Sequence, residues 1–262
     1  MCIFFLSLCG LLSCGLEKSY YMHYIGRIDY TDTSAIIRLP SDSEEGYRGI
    51  GLDGIQFDSF IIFYRIYISE SNASTGRQLE SDSNLRSAIS TALNSDYNAL
   101  YSFTDITSTN ASISSNLENT FSNRRFFLLT LVNSDGKTVE LGSSSLGKRL
   151  TIAFPTNEDP TLTIDGGATY DLRRAVKNEN LNLYDLTPLP LDRKFLNHSD
   201  LYNTVNITNG RNADVATGPE TSRYTYVSLY IAARGTNIEM PPGTVYSQPT
   251  FIGIFLLAES GG

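Results

Sequence analysis

The sequence predicts a mainly β protein: an antiparallel β-sandwich-like domain with one α-helix laid over a sheet. Three observations predict it. Apolar runs rich in β-branched and aromatic residues recur along the chain, separated by clusters of Pro, Gly, Asn and Asp. Two of the separators, Asn133-Ser134-Asp135-Gly136 and Asp165-Gly166-Gly167, have the chemistry of hairpin turns, which join antiparallel neighbours. Only one stretch has helical periodicity, too few crossovers for a parallel α/β sheet. At 262 residues, with 41% hydrophobic and 18% charged side chains, the chain can bury a core without staples.

A Tyr-rich lead-in is followed by a first strand at 35–39, closed by Pro40 and the acidic turn 41–45. The run 57–69 is the clearest strand. Phe60, Ile62, Tyr64 and Ile66 fall on one face and Ile61, Phe63, Arg65 and Tyr67 on the other. A strand apolar on both faces is covered on both sides, so it sits centrally in its sheet. Leu85, Ala88, Ile89, Ala92 and Leu93 then recur at helical spacing behind Ser83 as N-cap, which predicts the covering helix over 84–100. The stretch 104–123 has loop composition, with Ile113 and Leu117 available to anchor a short turn.

The segments 124–132 and 137–141 flank the Asp-Gly turn, 150–154 is a further strand, and 161–164 pairs with 169–176 across the Gly-Gly turn. From 177 to 222 the chain is polar, with Pro188, Pro190 and many Asn, and reads as a long loop. In 223–233, Tyr224, Tyr226, Ser228 and Tyr230 alternate with Thr225, Val227, Leu229 and Ile231, the period of a strand with one tyrosine face. After the Pro241-Pro242-Gly243 turn, 250–258 is a last strand apolar on both faces. The elements from 35 to 262 make one domain.

The N-terminus carries a different signal. An uncharged apolar run, 3–12, ends in Leu11-Leu12-Ser13-Cys14 and gives way at once to polar sequence. A run of about ten residues is too short for a spanning helix of about 20, but it suits the hydrophobic region of an export signal. A cysteine directly after small Ser13 is placed to take a thioether-linked lipid. Leu-Leu-Ser-Cys resembles the bacterial lipobox in the relaxed form of spirochaete lipoproteins. Cys14-Gly15-Leu16-Glu17 with Tyr20, Tyr21 and Tyr24 is similar to a loose set of uncharacterised treponeme lipoproteins. No Lys or Arg precedes the apolar run, which departs from the usual basic n-region of such signals.

The resemblance implies a signal peptide at 1–13, a lipidated N-terminus and tether at 14–34, and covalent diacylglycerol on Cys14 as the only attached group. It places the protein at the bacterial cell envelope with the lipid bilayer as its partner. All three cysteines, Cys2, Cys9 and Cys14, lie in the first fourteen residues, so the processed domain would hold no disulfide. Cys9 is the poorer attachment site because bulky Leu8 precedes it.

The net charge of -8 argues against nucleic acid, whose phosphates draw on clustered Lys and Arg. It also leaves no basic patch for anionic lipid, so membrane attachment would fall to acyl chains. The two histidines, His23 and His198, have no clustered Cys or His partners for zinc, and no Gly-x-Ser-x-Gly elbow marks a nucleophile. Gly49, Gly51 and Gly54 match a dinucleotide-binding spacing by letter, yet a strand follows them.

Two sets of residues remain as candidate sites. Glu158, Asp159 and Asp165 border one short strand and could converge as a Ca²⁺ or hydrolytic site; the competing reading makes them turn residues. Tyr224, Tyr226 and Tyr230 could form a flat recognition face for a protein or glycan, or pack beneath other elements. The sequons at Asn72, Asn110, Asn197 and Asn206 would go unused in a bacterial lipoprotein. No metal and no catalytic residue is assigned. The expectation is a non-catalytic binding or structural lipoprotein, with an adhesion or carbohydrate-binding module and a carboxylate hydrolase as alternatives.

Overall fold

The computed structural model describes residues 22, 25–26, 28–49, 54–69, 117, 126–155, 158–174, 194–195, 215–216, 224–238, 243–247 and 249–259. They form two curled, predominantly antiparallel sheets around a shared core, the mainly β sandwich expected. The strands are β1 (Asp29–Tyr30), β2 (Ser34–Arg38), β3 (Ile55–Ser69), β4 (Phe127–Leu128), β5 (Thr130–Val132), β6 (Thr138–Val139), β7 (Arg149–Ala153), β8 (Thr161–Ile164), β9 (Thr169–Arg173), β10 (Val215–Ala216), β11 (Tyr224–Asn237), β12 (Gly243–Tyr246) and β13 (Thr250–Glu259). The expected helix over 84–100 lies outside the described residues.

The first sheet has the order β1-β2-β7-β8-β9-β5-β6. Its strands alternate as half-wet strands must: Ala35 and Ile37, Leu150 and Ile152, Leu162 and Ile164, and Leu172 point into the core. On the other face Thr151, Thr163 and Thr169 stand in register, the last two with hydroxyls 2.9 Å apart. Both predicted hairpins form. Gly136 takes φ of 74° at the end of the first, and Asn133 Oδ1 accepts the backbone N–H groups of Asp135 and Lys137 at 3.0 and 2.8 Å. That conformation costs other residues roughly 1–2 kcal/mol, and the side-chain acceptor closes the loop locally.

The second sheet is built on β3 and β11, paired antiparallel from Tyr224↔Ser69 to Asn237↔Ile55. The far side of β11 is shared by β13 and β12, and that of β3 by β4 and the parallel β10. Strand β3 is therefore central, and both its faces are buried. Phe60, Ile62, Tyr64 and Ile66 join the inter-sheet core, while Ile61 and Phe63 join a second core on the outer face with Leu117, Phe126 and Leu128.

Two corners join the sheets. At one, the chain pairs with β3 as β4, donates Leu129 N–H to Ile62 O at 2.7 Å, and continues on the first sheet as β5. At the other, Tyr30 of β1 lies edge-on to Phe251 and Phe255 and sits over Gly253, where a Cβ would meet its ring at 2.6 Å. Phe154 stacks on Phe255 at 4.6 Å and 11°, a contact between the sheets near that corner.

Candidate functional site

Cys14 lies outside the described residues, so the site is approached from where the chain enters the sandwich. Met22, Ile25 and Ile28 are 3%, 0% and 8% exposed and belong to the inter-sheet core. All three lie within the 14–34 stretch expected as lipidated N-terminus and tether. The reason for their burial is hydrophobic: three apolar side chains at a spacing of three find a slot between the sheets and are withdrawn from water.

The slot at Met22 is shaped by glycines. Gly46 has φ of 86°, and a Cβ there would lie 2.7 Å from Met22 Cα; one on Gly235 would meet Gln56 O at 2.8 Å and Met22 Sδ at 3.2 Å. Beside them Tyr47 stacks on Phe60 at 5.8 Å and is tilted on Phe57 at 5.3 Å. Burial pushes the Tyr47 hydroxyl well above the usual tyrosine range, the Glu44 carboxylate adds to the rise, and a hydrogen bond with Ser247 opposes it. Ser247 Oγ also accepts Ala233 N–H at 2.9 Å. Further along, Thr250 donates its hydroxyl to Ile25 O at 2.5 Å, fixing the lead-in backbone to β13.

The tyrosine row does not form an exposed face. Tyr226 and Tyr230 are each 1% exposed within the second core. Tyr230 is edge-on to Phe126 at 5.5 Å and tilted on Phe251 at 5.2 Å. Tyr224 pairs through its backbone with Ser69 and Glu259, and its side chain is outside the description. Packing wins because Tyr230 stands opposite Phe63 and Tyr226 opposite Tyr67, so the row continues the second apolar face of β3. That face was visible in the sequence and marked this side of the sheet as covered.

The carboxylates do not converge either. Asp159 precedes β8 and Asp165 follows it, and a four-residue strand holds its ends about 10 Å apart. Asp165 pairs with Arg149 at 3.1 Å, both side chains about half exposed. Asp159 pairs with Lys194 at 3.1 Å and with Arg173 at 3.7 Å; Arg173 in turn binds Asp171 at 2.7 Å and is nine-tenths buried. Glu158 is exposed. Each aspartate is engaged by basic side chains of its own end of the strand rather than by the other carboxylates. Among the described residues no group of three or more His, Cys, Asp or Glu is placed to hold a metal ion.

Lys194 and Phe195 are the residues that sequence reasoning missed. They fall in the polar stretch 177–222, yet Phe195 is fully buried, 5.3 Å from the Tyr64 ring and 6.2 Å from that of Phe154. The same stretch contributes β10, which pairs with Ile66 and Tyr67. Phe195 stands among scattered Leu residues such as Leu189, Leu191 and Leu196, which show no sustained period that would single it out. His23, His198 and the sequon asparagines lie outside the described residues. Gly54, with φ of 70°, leads into β3 rather than a helix, so the glycine spacing forms no phosphate cradle of the helix N-terminal kind.

No protein-family model matches the chain, and no curated protein or solved structure matches it.

Proposed function

We propose that this chain is a bacterial envelope lipoprotein, cleaved before Cys14 and held to a membrane by diacylglycerol on that cysteine, with a non-catalytic binding or structural role. The observation that carries the reading is Leu11-Leu12-Ser13-Cys14 at the end of a short apolar run, with every cysteine of the chain confined to the first fourteen residues. Supporting it, the described fold is held by packing and ion pairs and uses no cysteine. Of the candidate carboxylates, Asp159 and Asp165 are held in ion pairs at opposite ends of β8, which favours a non-catalytic role over hydrolysis. Burial of lipid chains contributes about 0.8 kcal/mol per CH₂, so two or three chains hold a domain firmly where one would not. The bilayer is the partner this reading names; a protein or glycan ligand would be engaged elsewhere on the domain.

Metabolic labelling tests it. Radiolabelled palmitate should enter the protein in cells, and a Cys14→Ala variant should lose the label and leave the membrane fraction. Label retained by that variant would defeat the proposal.

A further inference from the structure

Met22 is eight residues beyond Cys14. Fully extended, eight residues reach about 29 Å. The far limit of the sandwich is farther away than that. Met22 packs against Gly235, which pairs with Phe57 near the start of β3, and twelve residues of strand separate Phe57 from Ser69, about 40 Å at 3.3 Å each. At that far end Ser69 and Glu259 both pair with Tyr224.

Resting on the lipidation of Cys14, we infer that the end of the sandwich where Met22 is buried beside Gly46, Tyr47 and Gly235, with the largely exposed 41–49 turn over it, is the end that faces the lipid bilayer, and that the Ser69–Tyr224–Glu259 end is turned away from it. With the far end against the bilayer, Met22 would stand about 40 Å from the surface, beyond the reach of its own tether. The buried lead-in enforces this. Met22, Ile25 and Ile28 cannot lengthen the tether without leaving the core, and Thr250 holds the Ile25 backbone in place. Charge has no part in the choice, because among the described residues the bilayer-facing end mixes Asp42, Glu44 and Glu45 with Arg48 and Lys148.

Energy transfer to the membrane tests the orientation in the lipidated, full-length protein. Cleavage would remove Cys2 and Cys9, and a thioether would occupy Cys14, so an introduced cysteine is the only free thiol. Arg48→Cys and Glu259→Cys variants, each carrying the same donor dye, are reconstituted in phosphatidylcholine vesicles doped with an acceptor-headgroup lipid. Transfer should be about twofold or more stronger from position 48, and an insertion of about twenty Gly and Ser residues after Gly15 should erase most of the difference. Equal transfer from both positions, or stronger transfer from position 259, would overturn the orientation while leaving lipidation intact. A protein that fails to float with the vesicles, or carries no palmitate, would instead remove the reading on which the orientation rests.

Discussion

Asp159 and Asp165 border the same short strand and end in different surroundings, and the difference is where residue-scale energetics lie. Asp165 and Arg149 are about half exposed, so their pair contributes little. Asp159 is the hinge of a small network that also seats Phe195 between Tyr64 and Phe154. We expect Phe195→Ala to cost about 3–5 kcal/mol in urea unfolding, the range for a fully buried Phe, and Lys194→Ala less than about 1 kcal/mol because its ammonium is half exposed. Equal costs would show that the ion pair, not the ring, fixes this stretch. Tyr47 supplies a pH signature. Its folded-state hydroxyl titrates above the ordinary value of 10.0, so the stability it contributes is complete below pH 10 and is lost as the pH rises beyond it. Tyr47→Phe should therefore flatten the alkaline decline of thermal stability; an unchanged decline would contradict the burial of this hydroxyl. Neither Phe195 nor Tyr47 was marked by a motif. The apolar residues around Phe195 are scattered and hold no sustained period to read.

The strands themselves were legible at the scale of elements because period two and turn chemistry are local. The 35–39, 57–69 and 150–154 runs appear within a residue or two of their expected bounds, and both hairpins form, with the strand expected over 169–176 ending at Arg173 and the one expected from 124 starting at Phe127. What was hidden depends on tertiary pairing. The run 124–132 read as one strand is divided at Leu129 between two sheets, because β4 completes the side of β3 while β5 completes that of β9. Local sequence holds no record of which neighbour is open. The bulges that skip Ile252 and Leu257 in β13 have the same origin: both are core residues, and the strand must curl to point them inward. The corner closed by β1 depends on the missing side chain of Gly253. Gly253→Ala should lower the melting temperature by several degrees through its clash with Tyr30, and Tyr30→Ala in the same background should recover part of the loss. A neutral Gly253→Ala would mean that Tyr30 does not cover this position.

At the scale of the whole molecule, the described sandwich uses its candidate chemistry for structure: Tyr226 and Tyr230 are core, Asp159 and Asp165 are paired, and no cysteine takes part among the described residues. The class of the fold could be read from the sequence because each strand declares its own faces; the candidate sites could not, because their meaning depended on which face another element covers. The proposed function assigns a distinct chemical purpose to the short N-terminal stretch ahead of Met22. With a net charge of -8, the domain gains nothing from anionic headgroups, so membrane association should persist through washes of high and low ionic strength. Release by salt alone would point to a peripheral, charge-held protein. The most direct test is the mass of the N-terminal peptide from protein purified out of its own cells. We expect a chain beginning at Cys14 and heavier by a diacylglycerol with or without a further acyl group; an unmodified N-terminus still carrying residues 1–13 would contradict the account.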